Sequence, residues 1–128
     1  MKNVLICDDE SDIRDVLTMI LEIEFGEQVV VTHAEDGSVG VEMLKEKNEF
    51  DLIICDMNMP NQKGVAVYNY NESNKKIPFI LLSADCHEDT KLFNGFNDNE
   101  TNSTMTKPWK ENEFLDKVNL IFFQTKAG

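Results

Sequence analysis

The most constraining feature of the sequence is a run of four apolar residues that ends in an aspartate, Leu-Ile-Ile-Cys-Asp at residues 52–56. A short continuous apolar run is typical of a strand buried on both faces of a parallel sheet. Asp56 then lies where the strand leaves the sheet, and open parallel sheets bind their ligands at that edge. Because an unpaired buried carboxylate is costly, we expect a cation or a hydrogen-bond donor to reach Asp56 from elsewhere in the chain.

Strand and helix patterns alternate along the chain on both sides of this run. Short β-branched or apolar runs predict strands at residues 3–7, 28–33, 52–56, 78–83 and 103–106. Apolar residues at helical spacing predict helices at residues 13–25, 37–47, 64–71, 90–96 and 111–124. The alternation predicts an α/β fold, a doubly wound five-stranded parallel sheet with helices on both faces.

The first helix illustrates how the pattern assigns ends and faces. Ser11 or Asp12 can cap its start, and Gly26 is expected to end it. Its predicted inward face comprises apolar residues that recur at helical spacing: Ile13, Val16, Leu17, Ile20, Leu21 and Phe25.

Length, charge and cysteine content limit the kind of protein. A chain of 128 residues is about one domain, so we expect residues 1–128 to form a single domain. The net charge of −12 disfavours direct nucleic-acid binding, which needs clustered Lys and Arg. No apolar run approaches the roughly 18 residues of a membrane span, and the start of the chain does not resemble a secretory signal. Three cysteines without paired spacing favour a reducing compartment, so we expect a cytoplasmic location.

Polar side chains follow several of the predicted strands at their carboxyl ends. They are Asp8 and Asp9 after the first strand, Asp56 after the third, Ser83 after the fourth and Lys107 after the fifth. Parallel strands joined by right-handed crossovers bring these ends to one edge of the sheet. The sequence therefore predicts a site in which carboxylates, a hydroxyl and an ammonium meet.

Only a narrow range of chemistry suits such a site. Neighbouring carboxylates repel one another unless a cation neutralises them, and a hard ion such as Mg²⁺ prefers carboxylate oxygens together with a phosphate oxygen. Lys107 supplies a compact positive charge for an anionic phosphoryl oxygen, and Ser83 can donate a hydrogen bond to another. Asp56 is then the candidate nucleophile, which would form an acyl phosphate.

In this order and spacing, these residues resemble the receiver domain of the two-component response regulators, also called CheY-like domains. The resemblance covers essentially the whole chain. It is carried by the following residues: Asp8-Asp9, Asp56-Met57-Asn58-Met59-Pro60, Gly64, Ser83-Ala84 and Lys107-Pro108. It implies a flavodoxin-like fold with the strand order 2-1-3-4-5.

The resemblance also implies roles for the acidic residues. Asp56 would accept a phosphoryl group from a histidine kinase or a histidine phosphotransfer protein, in a Mg²⁺-dependent reaction. Asp9, Asp56 and the backbone carbonyl of Asn58 would bind the Mg²⁺ directly, and Asp8 would act through water.

The same resemblance implies that Lys107 contacts the phosphoryl oxygens and that Ser83 moves toward them. The Lys107-Pro108 bond is commonly cis in this family. The phosphorylated domain would change conformation and regulate a downstream protein partner, so it would be a signalling domain and not an enzyme. We expect no direct nucleic-acid partner and no membrane partner.

Some positions depart from the family pattern. Thr104 stands where a Tyr or Phe usually reports phosphorylation by rotating inward. The segment at residues 95–107 is longer than usual and rich in Asn, Thr and Ser, which favour turns. We therefore expect the fourth helix to be short or irregular. Trp109 replaces a usual Phe, and Lys63 replaces a common acid.

Two other functions stay open at this point. A phosphatase with an aspartyl-phosphate intermediate is suggested by the Asp56-Met57-Asn58 spacing, although such enzymes typically have an aspartate where Asn58 stands. A receiver-like scaffold that binds partners without being phosphorylated is suggested by Thr104 and by the expected irregular fourth helix. The acids and Lys107 argue against that scaffold.

Overall fold

A parallel sheet of five strands organises the protein in the computed structural model, which describes residues 1–46, 49–59 and 64–123. The strands are β1 Lys2–Cys7, β2 Val29–Ala34, β3 Leu52–Asp56, β4 Phe79–Ser83 and β5 Asn102–Thr106. Their order across the sheet is β2-β1-β3-β4-β5, and every neighbouring pair is parallel. The predicted doubly wound, flavodoxin-like order is therefore confirmed.

Helices connect and follow these strands in the described residues. They are α1 Ser11–Phe25, α2 Gly37–Glu46, α3 Gly64–Asn74, α4 Cys86–Asp89 and α5 Glu111–Phe123. Short 3₁₀ turns lie at Gly26–Gln28, Thr90–Leu92 and Phe96–Asp98. The predicted helix ends at Lys47 and Gln124 lie outside the described residues. Nowhere in the described chain is a helix both long enough and apolar enough to cross a membrane.

The sheet is the centre of the core because both of its faces are covered. Successive residues of a strand point to opposite faces. Leu5 and Ile53 pack with residues of α2 and α3 on one face, and Ile6 and Ile54 pack with residues of α1 and α5 on the other. All residues of β3 are buried, which explains why an unbroken apolar run marks this strand in the sequence.

The start of α1 differs from the prediction, whereas its end agrees. Glu10, and not Ser11 or Asp12, is the N-cap residue, and its side chain makes no capping bond. Instead, the carboxylate of Asp8 holds the chain at the helix start. Its Oδ1 accepts a hydrogen bond from the Glu10 amide at 2.9 Å. Gly26 ends the helix with a φ of +58°, a conformation that glycine adopts without a steric penalty.

The inward face of α1 is narrower than predicted. Leu17, Ile20 and Leu21 are buried, but Val16 is 41% exposed, so its predicted place in the core is wrong. Since successive residues of a helix turn by about 100°, Val16 lies beyond the edge of the stripe that these three residues define.

The segment between β4 and β5 differs most from the prediction. The helix predicted at residues 90–96 is wrong, because α4 is a single turn that begins earlier and two 3₁₀ turns follow it. Asp85 starts the helix early, since its carboxylate accepts a hydrogen bond from the Glu88 amide at 3.2 Å. Gly95, with a φ of +76°, separates the two 3₁₀ turns. The expectation of a short, irregular fourth helix is confirmed.

Four buried rings, which we call the aromatic cluster, attach this irregular segment to the core. Phe93 and Phe96 are each 2% exposed and pack against Tyr68 of α3, with centroid distances of 4.9 and 5.7 Å. Phe79 of β4 completes the cluster. The Tyr68 hydroxyl also donates to the Asn94 carbonyl at 2.8 Å. Packing therefore holds the second half of the segment although it forms no α-helix.

Replacing Phe93 with alanine should destabilise the fold strongly, because it removes a buried ring from the aromatic cluster. We expect the free energy of unfolding, measured by urea denaturation, to fall by about 3–5 kcal/mol. Phe123→Ala is the matched control, since that ring is 56% exposed, and its loss should be about 1 kcal/mol or less. Equal losses for the two variants would show that the cluster does not anchor the segment.

Candidate functional site

Lys107 joins two of the predicted acids at the carboxyl edge of the sheet. Its Nζ lies 2.8 Å from Oδ1 of Asp56 and 3.4 Å from Oδ2 of Asp8. Three strands position these groups, because Asp8 follows β1, Asp56 ends β3 and Lys107 follows β5. The Lys107 amide donates to the Ser83 carbonyl at 2.9 Å, and the bond from Lys107 to Pro108 is cis, as the resemblance implies. The cation that the buried Asp56 requires is therefore supplied from β5.

The first residue of α3, Gly64, lies close to the end of β3. The Gly64 amide donates to the Met57 carbonyl at 3.0 Å. A Cβ atom at residue 64 would lie 2.3 Å from the Asp56 carbonyl oxygen, so this close approach of two backbones requires glycine. Asn58, two residues after Asp56, is exposed. Pro60, which belongs to the family pattern, and Lys63, which departs from it, both lie outside the described residues.

Three carboxylates form an acidic cluster beside the ion pair, which we define as Asp8, Asp9 and Glu10. One oxygen of each lies within 4.8 Å of the others. Asp8 is buried, whereas Asp9 and Glu10 are exposed. This cluster contains Glu10 and not Asp56, whose carboxylate contacts Lys107. Sequence reasoning did not assign Glu10 to the site, although the unbroken acidic run after the first strand was an available signal.

Burial and ion pairing together shift the pKa of each of the three groups in the ion-pair network. Burial, together with the charge of Asp56, raises the pKa of Asp8 to about 6, against the opposing effects of the Glu10 amide and Lys107. Burial also raises the pKa of Asp56, where Lys107 opposes the shift and the charge of Asp9 adds to it. Burial lowers the pKa of Lys107, but the hydrogen bonds and charges of Asp56 and Asp8 outweigh it, so that pKa is raised. The site therefore favours protonated groups when only the protein's own charges are present.

Ser83 is hydrogen-bonded to the α4 segment. The residue is 2% exposed, and its hydroxyl donates to the Asp89 carboxylate and accepts from the Asp85 amide at 3.0 Å. Its backbone nevertheless lies beside the site, because its carbonyl accepts from the Lys107 amide. Sequence reasoning missed Asp89, since it placed the fourth helix too late and no local motif marks an acid at that position.

The three cysteines and Thr104 differ in how far they are buried. Cys7 and Cys55 are both buried in the core, which shields them from reagents in the folded protein. Burial also raises the pKa of the Cys55 thiol well above its ordinary value. Cys86 is partly exposed, and its Sγ lies 3.4 Å from the Thr106 hydroxyl. Thr104, at the position of the usual aromatic residue, is partly buried in β5.

Comparison with known proteins agrees with this geometry. The family model for the response regulator receiver domain matches residues 4–119. The chain belongs to this family. It is therefore a signalling domain of the kind found in two-component systems, and its fold is that of a receiver.

Two curated relatives and one solved structure illustrate the similarity. The chain is 31% identical, over 92% of its length, to the transcriptional regulatory protein ResD of Bacillus subtilis. It is 30% identical, over 97% of its length, to the transcriptional regulatory protein SrrA of Staphylococcus aureus. It covers 47% of ResD and 49% of SrrA, so it spans about half the length of these relatives. The solved structure is that of the response regulator TrrA of Thermotoga maritima in complex with Mg²⁺-BeF. It matches this chain with a TM-score of 0.77 and 27% sequence identity, and the match covers 95% of this chain and 100% of the TrrA chain.

Asp8→Asn should stabilise the protein at neutral pH in the absence of divalent metal. Below pH 3.8 Asp8 is protonated in both the folded and the unfolded chain. Between pH 3.8 and about 6, Asp8 is mostly ionised in the unfolded chain and mostly protonated in the folded chain. The folded wild type therefore loses stability as the pH rises through this window. In urea denaturation with EDTA, we expect the variant to be more stable by about 1–3 kcal/mol near pH 7.5 and equally stable near pH 3.5.

Asp12→Asn is the control for this measurement. Asp12 is exposed in the first turn of α1, so its replacement should change the free energy of unfolding by about 0.5 kcal/mol or less at either pH. An Asp8→Asn variant that is less stable than the wild type at neutral pH would contradict the raised pKa.

Proposed function

We propose that residues 1–128 form a single receiver domain in which Asp56 accepts a phosphoryl group from a histidine kinase or a histidine phosphotransfer protein, in a Mg²⁺-dependent reaction. The observation that carries the proposal is the position of the Lys107 ammonium between the carboxylates of Asp56 and Asp8. A carboxylate at the rim of a sheet, with a cation in contact and an acidic cluster beside it, is suited to phosphoryl transfer. The phosphorylated domain then regulates a downstream protein partner.

The transfer forms one bond and breaks another. An oxygen of the Asp56 carboxylate forms the new bond to phosphorus. The bond from phosphorus to the donor breaks, which is a P–N bond in phosphohistidine and a P–O bond in acetyl phosphate, and the leaving group keeps the electron pair. Because burial raises the pKa of the Asp56 carboxyl, its ionised form is more basic and a better nucleophile than a solvated aspartate.

Lys107 acts on both sides of this step. Before transfer, its ammonium compensates the negative charges of Asp56 and Asp8. After transfer, the negative charge lies on the phosphoryl oxygens, and the same ammonium can follow it through a small movement of a side chain that is only 23% exposed. A compact cation held in place in this way stabilises the charge on the transferring group.

The residues around Asp56 fit a Mg²⁺ ion. The available donors are all oxygens, from the carboxylates of Asp8, Asp9 and Asp56 and the backbone carbonyl of Asn58, and oxygen donors suit a hard cation. Bound Mg²⁺ would neutralise these carboxylates and stabilise the charge on the phosphoryl group. TrrA was solved in complex with Mg²⁺-BeF, which supports assigning the same ion to this chain.

The proposed partners and location follow from the same chemistry. A protein that carries phosphohistidine supplies the phosphoryl group, and a downstream protein recognises the phosphorylated form. ResD and SrrA are transcriptional regulatory proteins, but the net charge of −12 leads us to assign no nucleic-acid contact to this domain itself. Free cysteines are typical of a reducing compartment, so we place the domain in the cytoplasm.

Asp56→Asn should abolish phosphorylation, because an amide cannot form the acyl phosphate. The measurement is the intact mass after incubation with Mg²⁺ and acetyl phosphate. We expect the wild type to gain one phosphoryl group and the variant to gain none. Asp116→Asn, at an exposed position of α5, is the matched control and should be phosphorylated like the wild type.

Two outcomes would contradict this assignment. A phosphoryl group on the Asp56→Asn variant would place the acceptor elsewhere in the chain. A wild type that binds Mg²⁺ and gains no phosphoryl group would favour a scaffold that works without phosphorylation.

Mg²⁺ binding should weaken as the pH falls below about 6, because Asp8 must lose its proton to take part. The fluorescence of Trp109, which is partly buried two residues after Lys107, provides the signal for a titration. We expect the apparent Kd to rise by up to about tenfold per pH unit below that pKa. Asp8→Asn should bind more weakly at neutral pH and show a flatter pH dependence. Equal wild-type affinities at pH 7.5 and pH 5 would show that Asp8 is not linked to the metal.

A further inference from the structure

The hydroxyl of Ser83 makes two hydrogen bonds to the α4 segment, and its only proton is used in one of them. It donates to the Asp89 carboxylate and accepts from the Asp85 amide. A serine hydroxyl has a single proton to donate. Ser83 therefore cannot donate to a phosphoryl oxygen on Asp56 while it donates to Asp89.

The bond between Ser83 and Asp89 is also a main tie between α4 and the sheet. Asp89 is the last residue of α4, and Ser83 is the last residue of β4. The other side-chain bonds described between this turn and the strands involve the Cys86 Sγ, at 3.4 Å from the Thr106 hydroxyl and 3.7 Å from the Ser83 carbonyl. Bonds to sulfur are weak, whereas a hydroxyl donating to a carboxylate makes a charge-assisted bond. The Asp89 contact is therefore the strongest of these ties.

The two halves of the segment between β4 and β5 are held differently. Leu92 is 61% exposed, so the first half contributes little to the core at this position. Phe93 and Phe96, in the second half, are buried in the aromatic cluster. Loss of the Asp89 contact would free residues 86–92 and leave residues 93–98 packed.

We propose that Asp89 is a positioning residue that holds Ser83 on α4 in the unphosphorylated domain and competes with the phosphoryl group for the Ser83 hydroxyl. The proposal rests on the proposed function of Asp56 as the phosphoryl acceptor. When a phosphoryl oxygen takes the hydrogen bond of Ser83, Asp89 loses its partner and the α4 turn separates from the sheet. Phosphorylation is thereby coupled to the α4 surface without the aromatic side chain that Thr104 replaces.

This coupling is reciprocal, so a change that releases α4 must also favour the phosphorylated form. Asp89→Ala should therefore increase the affinity for beryllofluoride, an anion that mimics the phosphoryl group in the presence of Mg²⁺. In a titration followed by Trp109 fluorescence, we expect a Kd about tenfold lower than that of the wild type, because Ser83 no longer has to leave a charged acceptor. Glu88→Ala is the matched control, since Glu88 belongs to the same turn but pairs with Lys91 at 3.0 Å. Its affinity should equal that of the wild type.

A double-mutant cycle with Ser83→Ala distinguishes an effect of Asp89 through the Ser83 hydroxyl from an effect of its negative charge on the bound anion. Removing Asp89 also removes a negative charge, which by itself favours binding of an anion. If Asp89 acts through Ser83, Asp89→Ala in the Ser83→Ala background should change the Kd by about twofold or less. The same tenfold effect in both backgrounds would mean that Asp89 acts through its charge alone, and would overturn the proposal.

Amide hydrogen exchange provides a structural readout of the same coupling. Adding Mg²⁺ and beryllofluoride to the wild type should speed exchange in residues 86–92 and leave residues 93–98 unchanged. In Ser83→Ala and in Asp89→Ala, exchange in residues 86–92 should already be fast and should not respond to the addition. Exchange in residues 86–92 of the wild type that does not change on addition would overturn the proposal.

Failure of this proposal differs from failure of the proposed function. A wild type that neither binds beryllofluoride nor gains a phosphoryl group at Asp56 would overturn both. A wild type that is phosphorylated at Asp56, with Asp89→Ala and Glu88→Ala binding beryllofluoride as the wild type does, would overturn only the role of Asp89.

Discussion

The Lys107 ammonium lies between two carboxylates that the sheet topology brings together, and the rest of the site depends on this contact. Parallel strands end at a common edge, so the acids that follow β1 and β3 approach one another although their charges repel. Lys107 reaches them from β5, two strands away from β3, and compensates part of their charge. Gly64, the first residue of α3, approaches the Asp56 backbone closely, so the start of α3 packs against the end of β3.

Lys107 compensates only part of the negative charge at this edge of the sheet. One ammonium faces Asp56 and an acidic cluster of three further carboxylates, so negative charge remains in excess. Burial, with a smaller contribution from the neighbouring acids, raises the pKa of both Asp8 and Asp56, so these carboxylates also have an increased preference for protons. A divalent cation relieves the excess of negative charge more completely than protons do, because it interacts with several carboxylates at once. This excess of carboxylates over cations supports the proposal that a divalent cation binds at this edge of the sheet.

The sequence predicts the sheet and the ion-pair network well, because both depend on short local patterns. The apolar run at β3 and the acids and lysine at strand ends are visible without knowledge of the packing. The segment between β4 and β5 is different, because its order comes from contacts that are distant in sequence. Phe93 and Phe96 are spaced as on a helix, yet they pack against Tyr68 from an irregular backbone interrupted at Gly95. The partner of Ser83 was missed for the same reason, since it depends on where α4 begins.

The distribution of the three cysteines has a practical consequence for chemical labelling. Cys7 and Cys55 are enclosed in the core, whereas Cys86, the first residue of α4, is partly exposed. A thiol-reactive fluorophore or spin label added to the folded protein should therefore attach at Cys86 and reach the other two thiols only after unfolding. The sequence thus carries its own attachment point for a spectroscopic probe, located in the segment between β4 and β5.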